Sequence, residues 1–274
     1  ACGAGGWSVA TAGKRAVFSG NIIKTCGRES FHGTGQYELT SVRGTSGGGQ
    51  AAQVAITGNT FVDSPLGLSN DATDVTITGN AFDMAGLTNT NGNTNTNIIA
   101  AIMLVSSSGG CRRITISSNT ISLPVNTADA LDGIYFGTGY DVLIANNSVH
   151  GGRKGMQLQG VVTNLKVTGN NLTNQAAQSG GANPRGINCL VGTASTGVNI
   201  THNSFCVNAA NSTSYAAIDI WNNGVTSGDM VVDGNSITIT TRPTSGAVGI
   251  RFNQTAITWS GFLVTIRGNT IKMN

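Results

Sequence analysis

Charge is what this chain has least of. Only 10% of its 274 residues are Asp, Glu, Lys or Arg, less than half the usual quarter of a soluble domain. The balance is +3, and no basic cluster exceeds Arg112-Arg113 or Arg153-Lys154, so nucleic acid is not an expected partner. No run of 18 apolar residues occurs, so no membrane-spanning helix is expected. Ala1 is not followed by the charged-then-apolar pattern of a leader peptide. The five cysteines (Cys2, Cys26, Cys111, Cys189, Cys206) have no metal-ligand spacing, and nothing in the sequence asks for a metal or a cofactor. Cys189 falls at an inward strand position and is expected to be a buried free thiol. Glycine is abundant instead, at 39 residues, and polarity comes from Asn, Thr and Ser. Such uncharged polar surfaces suit an extracellular solenoid and a carbohydrate-facing surface.

One stretch is written over and over. Val75-Thr76-Ile77-Thr78-Gly79-Asn80-Ala81-Phe82 returns as Ala55-Ile56-Thr57-Gly58-Asn59-Thr60-Phe61 and as Ile114-Thr115-Ile116-Ser117-Ser118-Asn119-Thr120-Ile121. It recurs around Asn147, Asn170, Asn203, Asn235 and Asn269, and more loosely at Phe18-Ser19-Gly20-Asn21. Successive marked asparagines are 38, 21, 39, 28, 23, 33, 32 and 34 residues apart. Alternating apolar residues before the Asn give a strand with one buried face. The Asn, often preceded by Gly, suits a corner that needs left-handed backbone. A second short strand restarts after it.

A third strand precedes most copies, as x-Gly-apolar-x-apolar. Examples are Gly133-Ile134-Tyr135-Phe136, Gly155-Met156-Gln157-Leu158, Gly186-Ile187-Asn188-Cys189 and Gly249-Ile250-Arg251-Phe252. Three short strands per repeat describe one coil of a parallel β-helix. A propeller blade needs about 40 residues and four antiparallel strands, which the two shortest spacings cannot supply.

On these motifs nearly the whole chain resembles the right-handed parallel β-helix (pectin-lyase-like) superfamily. The resemblance implies an all-β fold of about nine three-stranded coils with an Asn ladder at the corner between second and third strands. The expected organisation is a single domain over 1–274. No capping helix is visible before Trp7 or after Met273, so the chain is expected to be a fragment or to stack on another domain or subunit. Long polar insertions, such as 31–54, 86–97 and 174–184, are expected at one corner, between the third strand and the next first strand. Tyr37-Glu38-Leu39 is a candidate first strand within the earliest of them. The resemblance implies that such loops wall a substrate groove over the first-strand sheet.

Alternation places a central outward column of Ser69, Met103, Tyr135, Gln157, Asn188, Asp219 and Arg251 on that sheet. The next column reads Val105, Gly137, Gln159, Leu190, Trp221 and Asn253. Asp132, Lys154 and Arg185 stand one residue before the Gly on three consecutive coils. Amides and Arg can hold sugar hydroxyls and carboxylates, and Tyr135 or Trp221 can lie against a sugar ring. Candidate substrate-binding residues are therefore Tyr135, Gln157, Gln159, Asn188, Asp219, Trp221 and Arg251. The bland alternative is a solvated face with Asp219–Arg251 and Asp132–Lys154 as surface ion pairs.

Two chemistries are candidates. A glycosidase needs two carboxylates about 5–9.5 Å apart, which Asp129 and Asp132 could provide, whereas Asp132 and Asp219, three coils apart, are about 14 Å distant. A lyase needs a cation to offset a uronate carboxylate and a base for the C5 proton, roles open to Arg185 and to a Lys154 of lowered pKa. The resemblance extends in style to phage tailspikes and bacterial polysaccharide-degrading enzymes. It implies an extracellular or virion location, a polysaccharide partner (capsule, O-antigen or uronate polymer) and a homotrimer. The rival reading is a non-enzymatic shaft or adhesin.

Overall fold

A computed structural model of the chain describes residues 8–9, 14–24, 41–43, 52–69, 72–86, 99–105, 110–124, 131–175, 184–191, 195–208, 215–222, 228–241, 246–254 and 262–273. The described residues contain strands and no helix. They form three sheets of nine strands each, and every third strand in the chain joins the same sheet. All strand pairs are parallel, for example Leu131–Phe136 with Lys154–Gly160 in the first sheet, Cys111–Ser117 with Gly139–Ala145 in the second and Thr120–Ser122 with Ser148–His150 in the third. The fold is the right-handed parallel β-helix of nine coils expected from the repeat.

Each repeat maps onto a wall of the solenoid. The alternating segment before the Asn is the second-sheet strand, and its apolar residues stack in register. Val54, Val75, Ile114 and Val142 form one internal file. The residue two past the Asn begins another file in the third sheet, running Ile23, Phe61, Phe82, Ile121, Val149, Leu172, Phe205 and Ile237. These side chains are almost fully buried, each removal from water contributing about 1.5–3 kcal/mol. Phe61 and Phe82 lie ring on ring, centroids 4.5 Å apart.

The corner before the third sheet is where the repeat is most constrained. The residue before each ladder Asn adopts a left-handed conformation in all nine coils, whether Gly79 (φ 65°), Ser118 (55°), Asn146 (56°) or His202 (55°). The bend thus belongs to the preceding residue rather than to the Asn itself, which explains why Gly is common there. That placement turns the Asn side chain inward. Asn119 donates from its backbone N–H and its Nδ2 to Asn147 Oδ1 at 3.0 and 2.9 Å, and from Nδ2 back to Ile77 O at 3.0 Å. The same pattern carries from Asn59 to Asn235. Every buried amide donates forward to the next coil and backward to the previous one.

The Gly of the first-strand motif has a different cause. A Cβ on Gly155 would stand 2.5 Å from Leu172 Cδ2 and 2.8 Å from Gly186 O, and one on Gly186 2.5 Å from Ala217 O and from Phe205 Cδ1. The backbone here closes under the third-sheet core file and leaves no room for a side chain at Gly155 and Gly186, whereas Ala101 and Ala217 fill the same position on other coils. Insertions occupy two corners rather than the single one expected. Residues 87–98 and 176–183 lie between third and first strands, whereas 44–51, 192–194, 223–227 and 255–261 lie between first and second strands. Tyr37-Glu38-Leu39 lies outside the described residues, and the first strand of that coil is Ser41–Arg43.

Replacing Asn147 with Leu would leave the Asn119 backbone N–H, the Asn119 Nδ2 and Ile116 O without their partners. With each buried orphan costing about 1–3 kcal/mol, Asn147→Leu is expected to lower the unfolding free energy by roughly 3–5 kcal/mol in denaturant titration.

Candidate functional site

Five first-sheet strands set the candidate site: Leu131–Phe136, Lys154–Gly160, Arg185–Val191, Tyr215–Asn222 and Ala247–Gln254. Their register places Met103, Tyr135, Gln157, Asn188, Asp219 and Arg251 in one file. Gln159, Leu190, Trp221 and Asn253 form the neighbouring file. Asp132, Lys154 and Arg185 stack in a third. One expected member is displaced: Met103 pairs with Gly67, and Ser69 pairs with Val105 instead. Asp129 lies outside the described residues, as do most residues of the expected walls 86–97 and 174–184.

The face differs from a solvated sheet surface. Asp132, Gln157 and Asp219 are at most 1% exposed, and Arg185 and Asn188 only 6% and 7%. Tyr135 and Trp221 are half-buried, and of the candidate binding residues only Gln159 is exposed. Polar groups so enclosed must satisfy one another. Lys154 Nζ donates to Gln157 Oε1, which also accepts from Asn188 Nδ2 at 2.7 Å.

The ion pairs are not the expected surface pairs. The bidentate partner of Asp132 is Arg153, from Nε at 3.1 Å and Nη2 at 3.0 Å, while Lys154 contributes a backbone hydrogen bond and a nearby charge. Asp219 serves as a hub. It accepts from Arg185 Nε at 2.6 Å, from Arg251 Nε at 2.9 Å, from Asn253 Nδ2 at 2.9 Å and from the Trp221 indole. Arg185 also donates to Pro184 O at 2.8 Å. Arg153 and Asn253 were not among the sequence-derived site residues. The signal for Arg153 was its adjacency to Lys154, read there only as a minor basic pair.

Burial and charge shift the titrations. Burial pushes the Lys154 ammonium down to about 8, with Asp132 opposing and Arg153 and Arg185 reinforcing the shift. Burial likewise drives the Asp132 carboxyl up against the pull of Arg153 and Lys154. At Asp219 burial acts upward, but hydrogen bonds from Arg251, Arg185 and Trp221 outweigh it, and the carboxyl titrates below its ordinary range. Burial alone raises Cys189 to about 12, so this buried free thiol is inert.

Chemically, neither carboxylate of this cluster is placed to donate a proton to a ligand. Asp219 is held ionised by two guanidiniums, and Asp132 is inaccessible and clamped in a bidentate pair. Lys154 is the one group tuned toward acid–base work near neutrality. Four cations (Arg153, Lys154, Arg185, Arg251) face two carboxylates (Asp132, Asp219), leaving two positive charges in excess among the described residues. Those residues hold no cluster of His, Cys, Asp and Glu fit for a metal ion. No known family model matches the chain, and no curated protein matches its sequence.

Two stability measurements follow. Asp219→Asn removes the charge that compensates two guanidiniums, one of them buried, and is expected to cost about 3–5 kcal/mol at neutral pH. In the native protein this contribution holds above the ordinary carboxylate range and is lost as pH falls through the lowered value. Lys154 gives a slope of the same sign, but it lifts a penalty over an alkaline window instead of adding a stabilising contribution over an acid one. Between about 8 and the ordinary 10.5 the unfolded chain binds the extra proton, so stability gains as pH rises through that window. Denaturant titrations are expected to show Lys154→Met more stable than the native protein by roughly 2–3 kcal/mol at neutral pH, the difference vanishing as pH rises toward the ordinary 10.5.

Proposed function

We propose that this chain is a pectin-lyase-like β-helix, extracellular or virion-borne in the manner of a tailspike, that binds an acidic polysaccharide along its first sheet and cleaves it by β-elimination. The observation that carries the reading is the surplus of positive charge on an enclosed outward face, two charges with Lys154 protonated and one with it neutral. Excess positive charge in such a setting is stabilised by an anion, and a uronate carboxylate is the anion a polysaccharide supplies. Enclosure also argues against a shaft, whose outward polar side chains have no reason to be buried and cross-linked.

In this reading the uronate carboxylate lies in the field of Arg185, Arg251 and Arg153, which lowers the cost of building negative charge at C5. Neutral Lys154 takes the C5 proton. The C5–H pair becomes the C4–C5 double bond, the C4–O bond breaks, and the departing oxygen takes a proton from solvent water, whose hydroxide is neutralised when Lys154 gives up the C5 proton. Gln157 and Asn188 orient the amine and the sugar hydroxyls, while Tyr135 and Trp221 offer ring faces to the flanking sugars. Gln159, the exposed residue of the second file, meets the chain further along. A homotrimer would present three such faces to one polymer.

Polygalacturonate, alginate and uronate-bearing capsular polymers form the test panel, with reducing ends and unsaturated-uronate absorbance followed together. Both signals are expected to rise, with a rate that increases up to about pH 8, where Lys154 loses its proton, and with loss of at least about a thousandfold in Lys154→Met. Reducing ends without new absorbance would replace elimination by hydrolysis and turn attention to Asp129 and Asp132. Neither binding nor cleavage on any polymer would leave the structural shaft.

A further inference from the structure

The second sheet carries a feature that the first-sheet reading does not use. Two files of left-handed residues run along the solenoid. At the ladder corner glycine fills Gly20, Gly58, Gly79, Gly169, Gly234 and Gly268. Near the start of the second-sheet strands the same backbone region is occupied on six successive coils by side-chain-bearing residues: Arg15 (φ 70°), Gln53 (60°), Asp74 (55°), Arg113 (51°), Asp141 (54°) and Asn164 (53°). Were the bend the sole requirement, glycine would meet it without steric cost. Side chains kept at strained positions point to a use for them.

These side chains form a cross-linked ridge. Arg113 grips Asp74 through Nε and Nη2, and Asn164 Nδ2 donates to Asp141 Oδ1 at 2.8 Å. Beside the ridge runs a groove of about 550 Å³. Its floor is the in-register file Thr115, Leu143, Lys166 and Asn199 on four consecutive coils. The ridge is ordered before any ligand arrives, which lowers the entropic cost of binding. The floor is uncommitted: Lys166 is exposed and has no hydrogen bond or ion pair among the described residues. Leu143 is a half-exposed aliphatic side chain between polar neighbours. Arg113 and Lys166 cancel Asp74 and Asp141, so the groove is electrically neutral, unlike the first-sheet cluster.

We propose that this groove is a second glycan-binding strip, separate from the first sheet, that takes an uncharged, hydroxyl-rich oligosaccharide. Asn164, Asn199 and Thr115 supply amide and hydroxyl partners for sugar hydroxyls, and Leu143 supplies the apolar surface against which a pyranose C–H face rests. An open, extended groove without aromatic walls suits a polymer segment rather than a small compact ligand. Because no net charge is involved, binding is insensitive to salt. The inference stands independently of the proposed elimination chemistry.

Affinity electrophoresis of the full chain through dextran, mannan and galactan, at low and high salt, tests it. At least one neutral polymer is expected to retard the protein equally at both salt concentrations. Leu143→Asp should weaken that association about tenfold, which corresponds to about 1.4 kcal/mol, and Lys154→Met should leave it unchanged. Thr115→Arg, which fills the groove from another strand, should reproduce the loss if Leu143→Asp alters the fold by circular dichroism. The proposal is overturned if no neutral polymer retards the chain, if high salt abolishes retardation, if well-folded groove variants bind like the native protein, or if Lys154→Met removes the binding.

Discussion

The stacked asparagine amides are the constraint on which this solenoid depends. A coil turns sharply between its second and third strands, and that turn buries backbone groups with no ladder partner. Each Asn side chain accepts from the coil before it and donates to the coil after it, so one residue type satisfies the corner in every turn. The amides all point the same way, and aligned chains of hydrogen bonds strengthen one another. A slip of one residue between coils would break the chain of amides and turn the apolar files outward. Register is therefore fixed at the corner, and the outer files inherit it.

That inheritance is what makes a site out of scattered residues. Asp219 and Arg185 are 34 positions apart in sequence and share a bond of 2.6 Å, because register brings their coils side by side. The charge cluster is costly to hold out of water, and its members are arranged to reduce that cost: Asp219 carries four donors, Asp132 a bidentate guanidinium. Lys154, with only an amide acceptor for its ammonium, is the cation whose titration burial brings down toward neutrality. A purely structural face would be cheaper with Thr or Ser in these places.

The repeat made most of the fold legible. Periodicity of two, an Asn at each corner and a Gly before each inward apolar pair specify strands, bends and core files by local sterics and burial, which act over a few residues. They identified the outward files too, apart from Ser69: Gly67 is not a motif glycine but sits in the outward file beside Met103, which moves Ser69 to the next file. Calling Asp132, Lys154 and Arg185 one file was correct for the same reason.

What the chain order could not express was which neighbours share hydrogen bonds. Alternation says that a side chain points away from the core, yet only the packed structure decides that Gln157 and Asp219 are nevertheless buried, that Arg153 rather than Lys154 takes Asp132, and that two guanidiniums converge on one carboxylate. The left-handed ridge on the second sheet was equally invisible, since Arg113, Asp141 and Asn164 carry no sequence mark of their backbone conformation. Sequence determined the coil, because its causes are local and repeated. Tertiary structure decided the sites, because burial, ion-pair choice and titration depend on distances between coils.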